Sequence, residues 1–144
     1  MKLLDANILL YAYDSSSTHH VTCRAWLEDT LNAEETVALP WQTALAFVRI
    51  ATNPKATRRP LSGPAACAIV ESWLARPNVA VVGHGERFWE IFRTQVREAQ
   101  ISGPLVTDTA LAALALENGA MLCSTDRDFR RFKDLRVLDP LQQE

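Results

Sequence analysis

The sequence predicts an α/β fold with a mostly parallel sheet of about four to five strands, flanked by helices in three layers. Two observations carry this expectation. Short apolar runs that read as strands recur along the chain, separated by longer stretches with apolar residues at the three- and four-residue spacing of amphipathic helices. The two kinds of segment alternate, and alternation of this kind produces parallel strands joined by helical crossovers. No internal repeat, low-complexity tract or long linker interrupts the pattern, so one domain over residues 1–144 is expected.

A chain of 144 residues is long enough for one sizeable core. With 48% apolar and 22% charged residues it has a globular balance, not a disordered one. The net charge of -2 supplies no overall attraction to nucleic acid, so any such binding has to use a local basic patch. Cys23, Cys67 and Cys123 are odd in number and form no CxxC pair, which fits buried reduced thiols. No apolar run approaches the roughly 18 residues that cross a bilayer. Asp5 interrupts the apolar opening and no small-residue cleavage site follows, so the start does not read as a signal peptide. A cytoplasmic protein is the expectation.

In order, residues 2–4 read as a strand, with Asn7 available to cap the helix that begins at Ile8. A polar break at 14–18 precedes a helix over 19–31, with Val21, Ala25, Trp26 and Leu31 on its apolar face. Residues 36–39 form a second strand ended by Pro40. Residues 41–52 are helical, with Leu45, Val48 and Thr52 at inward spacing, and Asn53-Pro54 stops them. A basic loop at 55–59 follows. Ser62 can cap the next helix, which tolerates Pro64 in its first turn and runs to Leu74. A third strand spans 79–82 and a helix 86–100. Thr107 can cap a helix over 108–117 that Asn118-Gly119 ends. Residues 121–123 form a fourth strand, 129–132 a short helical piece, and 136–138 a fifth strand.

The chemistry points to the aspartates. In open parallel sheets, ligands bind beyond the carboxyl ends of the strands. Asp5 follows the first strand, Asp126 and Asp128 follow the fourth, and Asp108 opens the helix before it. Carboxylates gathered there repel one another unless a cation or proton intervenes. Oxygen ligands without His or Cys select hard cations, Mg²⁺ or Mn²⁺, over zinc. Each acid also has an ordinary alternative. Asp108 can favour the helix dipole, and Asp126 or Asp128 can be a turn or cap residue. Asp5 is the hardest to explain away, because it lies between two apolar runs.

Leu3-Leu4-Asp5-Ala6-Asn7-Ile8-Leu9 at the start and Ser124-Thr125-Asp126-Arg127-Asp128-Phe129 near the end carry a resemblance to PIN-domain ribonucleases, and more narrowly to VapC-type toxins of type II toxin–antitoxin systems. Leu39-Pro40-Trp41, the run from Phe47 to Pro54, and Asp108 with Ala112-Ala113-Leu114-Ala115 and Asn118-Gly119-Ala120 extend it over almost the whole chain. The resemblance implies a PIN-like fold and a Mg²⁺- or Mn²⁺-dependent endoribonuclease, with an RNA substrate, a cognate antitoxin and a homodimeric state. It maps the family's metal-binding and catalytic acids onto Asp5, Asp108 and Asp126, with Asp128 as a further acid, and the supporting polar residues onto Asn7 and Thr125. One departure stands out. Many members carry a glutamate where this chain has Ala46, which cannot ligate metal and puts a fully occupied second metal site in question.

Arg49, Lys55, Arg58 and Arg59 could line a path for an RNA backbone or form a solvated basic loop. Arg127, Arg130, Arg131 and Lys133 surround the late acids. His19, His20 and His84 lack metal-ligand spacing. Trp26, Trp41, Trp73 and Trp89 fall on apolar helical faces, which favours packing over base stacking. The alternative function is a non-catalytic acidic module that recognises a basic protein partner, with Ala46 as its main support.

Overall fold

The computed structural model describes residues 1–142; the last two positions of the expected 1–144 domain lie outside the described residues. Five parallel strands form one sheet: β1 (Lys2–Leu4), β2 (Val37–Ala38), β3 (Val79–Ala80), β4 (Met121–Cys123) and β5 (Val137–Leu138), in the order β3-β2-β1-β4-β5. The α/β architecture expected above, a parallel sheet flanked by helices, is therefore present. The chain builds outward from β1 to β3, then crosses back to add β4 on the other side. The switch in direction lies between β1 and β4, which is where a crevice opens at the carboxyl edge of such sheets.

Alternation of side chains along β1 divides the molecule into two cores. Leu3 is in register with Ala38 and Leu122, and all three enter one core. Leu4 is in register with Cys123, and both enter the other. On the Leu4 face lie α1 (Ala6–Tyr13), α2 (His20–Asn32), α3 (Trp41–Ala51) and α4 (Gly63–Leu74). Its centre is Phe47, fully buried, with edge-on ring contacts to Tyr13 and Trp73 at centroid distances of 5.9 and 4.8 Å. Truncating such a ring costs about 3–5 kcal/mol.

On the Leu3 face lie α5 (Phe88–Glu98) and α6 (Leu105–Glu117). Residues Leu111 to Ala115 of α6 are all buried. Its alanines let it lie close to the sheet, while α5 covers it from outside. Glu117, at the end of α6, accepts from the backbone N–H groups of Gly85 and Arg87 at 2.7 and 3.0 Å. This fixes the start of α5 beside the end of α6, so the two helices run antiparallel. Gly119, at φ 62°, ends α6 in the left-handed conformation that glycine adopts without strain.

Several boundaries and faces differ from those expected. Asp5, not Asn7, occupies the cap position of α1 and accepts from the Ala6 N–H. α6 begins at Leu105, so Asp108 lies within its first turn and Thr107 is not its cap. Ser62 does cap α4, accepting from Ala65 N–H. Leu45 and Val21 point outward, at 66% and 77% exposure, because the buried stripe of α3 runs through Thr43, Ala44, Phe47 and Ala51 and that of α2 through Cys23, Leu27 and Leu31. Trp73 is a core residue, whereas Trp41 and Trp89 are exposed. Cys23 and Cys123 are buried free thiols, but Cys67 is exposed on α4. No helix among the described residues is long and apolar enough to cross a membrane.

Candidate active site

β1 and β4 are neighbours in register, so the residues that follow them, Asp5 and Ser124, emerge side by side at the carboxyl edge. The Asp5 N–H donates to the Cys123 carbonyl at 3.0 Å, continuing the ladder by one step. The Ser124 hydroxyl then donates to Asp5 Oδ2 at 2.7 Å. Ser124 Oγ in turn accepts from Asn7 Nδ2 at 3.1 Å and from the Asp126 N–H at 3.0 Å. Ser124 is 1% exposed, and this hydroxyl uses its one proton and both lone pairs inside the protein. It ties the first acid, the supporting amide and the late acidic turn into one network.

The late turn is shaped by its own acids. Asp126 accepts from the Asp128 N–H at 2.8 Å and caps the 3₁₀ turn Arg127–Arg131. Arg131 reaches Asp128 Oδ1 at 3.1 Å. On the opposite wall, α3 is pinned in two places. The buried Thr43 hydroxyl donates to the Leu4 carbonyl at 2.7 Å, and Gln42 Nε2 donates to the Thr107 carbonyl at 3.0 Å. The second bond sets the start of α6 against the start of α3, which brings Asp108 to the rim of the crevice.

The resulting cleft has a volume of about 630 Å³, and its walls include Asp5, Asn7, Ala46, Asp108 and Asp126. One carboxylate oxygen each from Asp108, Asp126 and Asp128 lies within 4.8 Å of the others. Asp5 stands beside this group, near enough for its charge to act on Asp108. Burial pushes the Asp108 carboxyl up to about 6, and the charges of Asp126, Asp5 and Asp128 add to the rise. Burial also raises Asp5, against the lowering effect of its hydrogen bonds from Ser124 and Ala6 N–H. Crowded oxygen ligands of this kind, with no nitrogen or sulfur among them, suit a hard divalent cation.

The four aspartates expected from the sequence thus meet at one edge of the sheet, with Asn7 beside them. Thr125 is different: its backbone N–H faces Asn7 Oδ1 at 3.5 Å, and the hydroxyl that joins the network belongs to Ser124. Sequence reasoning missed Ser124, although pairing the ends of the first and fourth strands would have put it next to Asp5.

Comparison with known proteins identifies the family and the fold. The PIN-domain family profile matches residues 2–135. Ribonuclease VapC37 of Mycobacterium tuberculosis is 40% identical over 140 residues, covering 97% of each chain. The chain belongs to the PIN-domain family, among its VapC-type ribonucleases. Its backbone resembles FitAcB from Neisseria gonorrhoeae at a TM-score of 0.70 and 20% identity, covering 99% of this chain and 100% of that one. It also resembles a toxin–antitoxin complex from Klebsiella pneumoniae at a TM-score of 0.63 and 16% identity, covering 97% and 98%.

Proposed function

We propose that this protein is an endoribonuclease toxin that hydrolyses RNA phosphodiester bonds at the acidic cleft, using Mg²⁺ or Mn²⁺, and that a cognate antitoxin holds it in check. The observation that carries this reading is the gathering of Asp5, Asp108, Asp126 and Asp128 at the β1–β4 edge, in a chain 40% identical to a ribonuclease. Asp5, Asp108 and Asp126 would hold the cation directly or through water, with Asp128 at the margin. When bound, the divalent ion supplies a more acidic water and neutralises charge on the phosphodiester.

The remaining work falls to the chain itself. Ser124 orients Asp5 by donating to its Oδ2, leaving Oδ1 shared with the Ala6 N–H. Asn7 donates to Ser124 and so keeps that hydroxyl aimed at Asp5. Protonated Asp108 cannot serve as an anionic ligand, so the site gains ligand charge as pH rises through about 6. Ala46 adds no carboxylate to the opposite wall, which supports a site with fewer ligands than many relatives possess.

Trp41 and Leu45, one turn apart on α3, leave large apolar surfaces exposed and support a protein-binding face for a second copy or the antitoxin. Purified protein incubated with RNA is expected to cleave it with Mg²⁺ or Mn²⁺ and not in EDTA, and Asp5→Asn is expected to abolish cleavage. RNA cleavage that persists in EDTA, or that is untouched in Asp5→Asn, overturns the mechanism.

A further inference from the structure

We propose that Arg49 binds the phosphate next to the scissile one, so that the cleft has a cationic subsite which sets the course of the RNA strand. The inference rests on the nuclease reading above but concerns a different part of the cleft. Gln42, Leu45, Ala46 and Arg49 recur at three- and four-residue spacing along α3 and all line the cleft, forming the wall that faces the acids. Arg49 is the one Lys or Arg among the residues lining it, against three aspartates. It is exposed, and among the described residues it makes no ion pair with a carboxylate. The cleft thus has a negative end and a single uncommitted cation.

Position makes that cation useful. From Ala46 to Arg49 the helix advances about 4.5 Å, and the long side chain adds its own reach. This matches a contact to the neighbouring phosphate better than one to the reacting group. A guanidinium also suits the task, since its planar fork can hold two phosphate oxygens. A second cleft adjoins this one. It shares Leu10 and Ile50, has a volume of about 270 Å³, and includes Arg59 in its lining. A strand leaving the acids along α3 meets Arg49 first and Arg59 further on. Of the basic loop expected from the sequence, Arg59 thus lines a cleft adjacent to the acidic one, with Leu10 and Ile50 common to both.

The test uses the full chain and a fluorescent random-sequence single-stranded RNA dodecamer. Binding is followed by anisotropy in EDTA across a series of NaCl concentrations, and cleavage is followed separately in Mg²⁺. Arg49→Ala is expected to weaken binding about tenfold and to reduce the slope of log affinity against log salt by about 0.7, the value for one phosphate contact on a single strand. Arg49→Lys should restore the slope while recovering only part of the affinity. In cleavage, KM should rise with kcat nearly unchanged, as for a contact made equally in ground and transition states. An unchanged salt slope and KM in Arg49→Ala, with wild-type binding and cleavage intact, overturns the subsite and leaves the nuclease reading standing. A fall in kcat at constant KM also overturns it, because Arg49 would then act on the reacting phosphate. Wild-type protein that neither binds nor cleaves RNA defeats the nuclease reading itself.

Discussion

The two ends of β1, a strand of three residues, are built on opposite principles. At the amino end, the Met1 ammonium and Lys2 Nζ both reach Glu35, at 2.9 and 3.2 Å. The two cations there share one carboxylate partner. The hydrogen bond from the chain terminus, then that from Lys2, holds the Glu35 carboxyl below its ordinary range. At the carboxyl end, four aspartates gather and one arginine, Arg131, pairs with the outermost of them. Burial and mutual repulsion hold Asp5 and Asp108 above the ordinary range. A chain selected for stability alone would not keep the second arrangement, since like charges at close range destabilise the folded state. Folded proteins accept such local cost where a site needs it.

The sharpest way to break this contrast is to neutralise Asp108. Asp108→Asn should reduce RNA cleavage about 100-fold or more, the scale expected when a group acting in the transition state is lost. The same substitution should raise the melting temperature of metal-free protein at pH 7.5, because one of the repelling charges is gone. Cleavage assays and thermal unfolding on one preparation check both halves. A lower melting temperature would show that the acids are not in conflict.

Ser124→Ala comes next. It leaves the acids in place but removes the hydroxyl that joins Asp5, Asn7 and the Asp126 N–H. Stranding those partners should cost about 1–3 kcal/mol in denaturant unfolding. Mn²⁺ affinity, read by the electron paramagnetic resonance of the free ion, should fall about 10- to 100-fold, as for other residues that orient a ligand.

The pH dependence separates the two ends by sign. Asp108 has a folded value of about 6 against 3.8 for the free group, so the folded state holds the extra proton. Its contribution to metal-free stability is present below about pH 3.8 and is lost as pH rises through about 6. Glu35 behaves in the opposite way: its contribution is present above its ordinary value of 4.5 and is lost as pH falls through its lowered value. Between pH 5 and 7 the wild-type melting temperature should therefore fall with rising pH relative to Asp108→Asn. Over the same range Mn²⁺ binding should strengthen, because the proton on Asp108 competes with the metal.

How much of this could be read in advance follows from how local each feature is. The parallel α/β order and the strand cores were legible because apolar runs and helical periodicity are properties of neighbouring residues. Asp5 was legible for the same reason: an acid set between Leu4 and Ile8 has no packing explanation. Ser124 was not, because its role depends on the register of β1 against β4, two strands separated by most of the chain. The outward turn of Leu45 was missed for a related reason. Spacing alone permits several stripes on α3, and only Phe47 meeting Tyr13 and Trp73 selects the buried one. The start of α6 was misplaced at Asp108 because a Thr-Asp pair imitates a cap, whereas Pro104 stands at the cap position and the helix begins at Leu105.

The smallest effect is expected at the paired end. Glu35 is 45% exposed at its side chain, so solvent screens both of its ion pairs, and Glu35→Gln should cost about 0–1 kcal/mol. The substitution keeps the shape of the side chain and leaves an amide oxygen that can still accept from Lys2 or the terminus. What it removes is charge. The loss should therefore shrink further in high salt, and it should fade as pH falls below 4.5 through the lowered value of the wild-type carboxyl. RNA cleavage should be unchanged, since the nearest acid of the cleft lies at the other end of the strand. If Glu35→Gln instead lowered cleavage as strongly as Ser124→Ala, the two ends of β1 would be coupled through the strand, and the separation between a stabilising end and a functional end would fail.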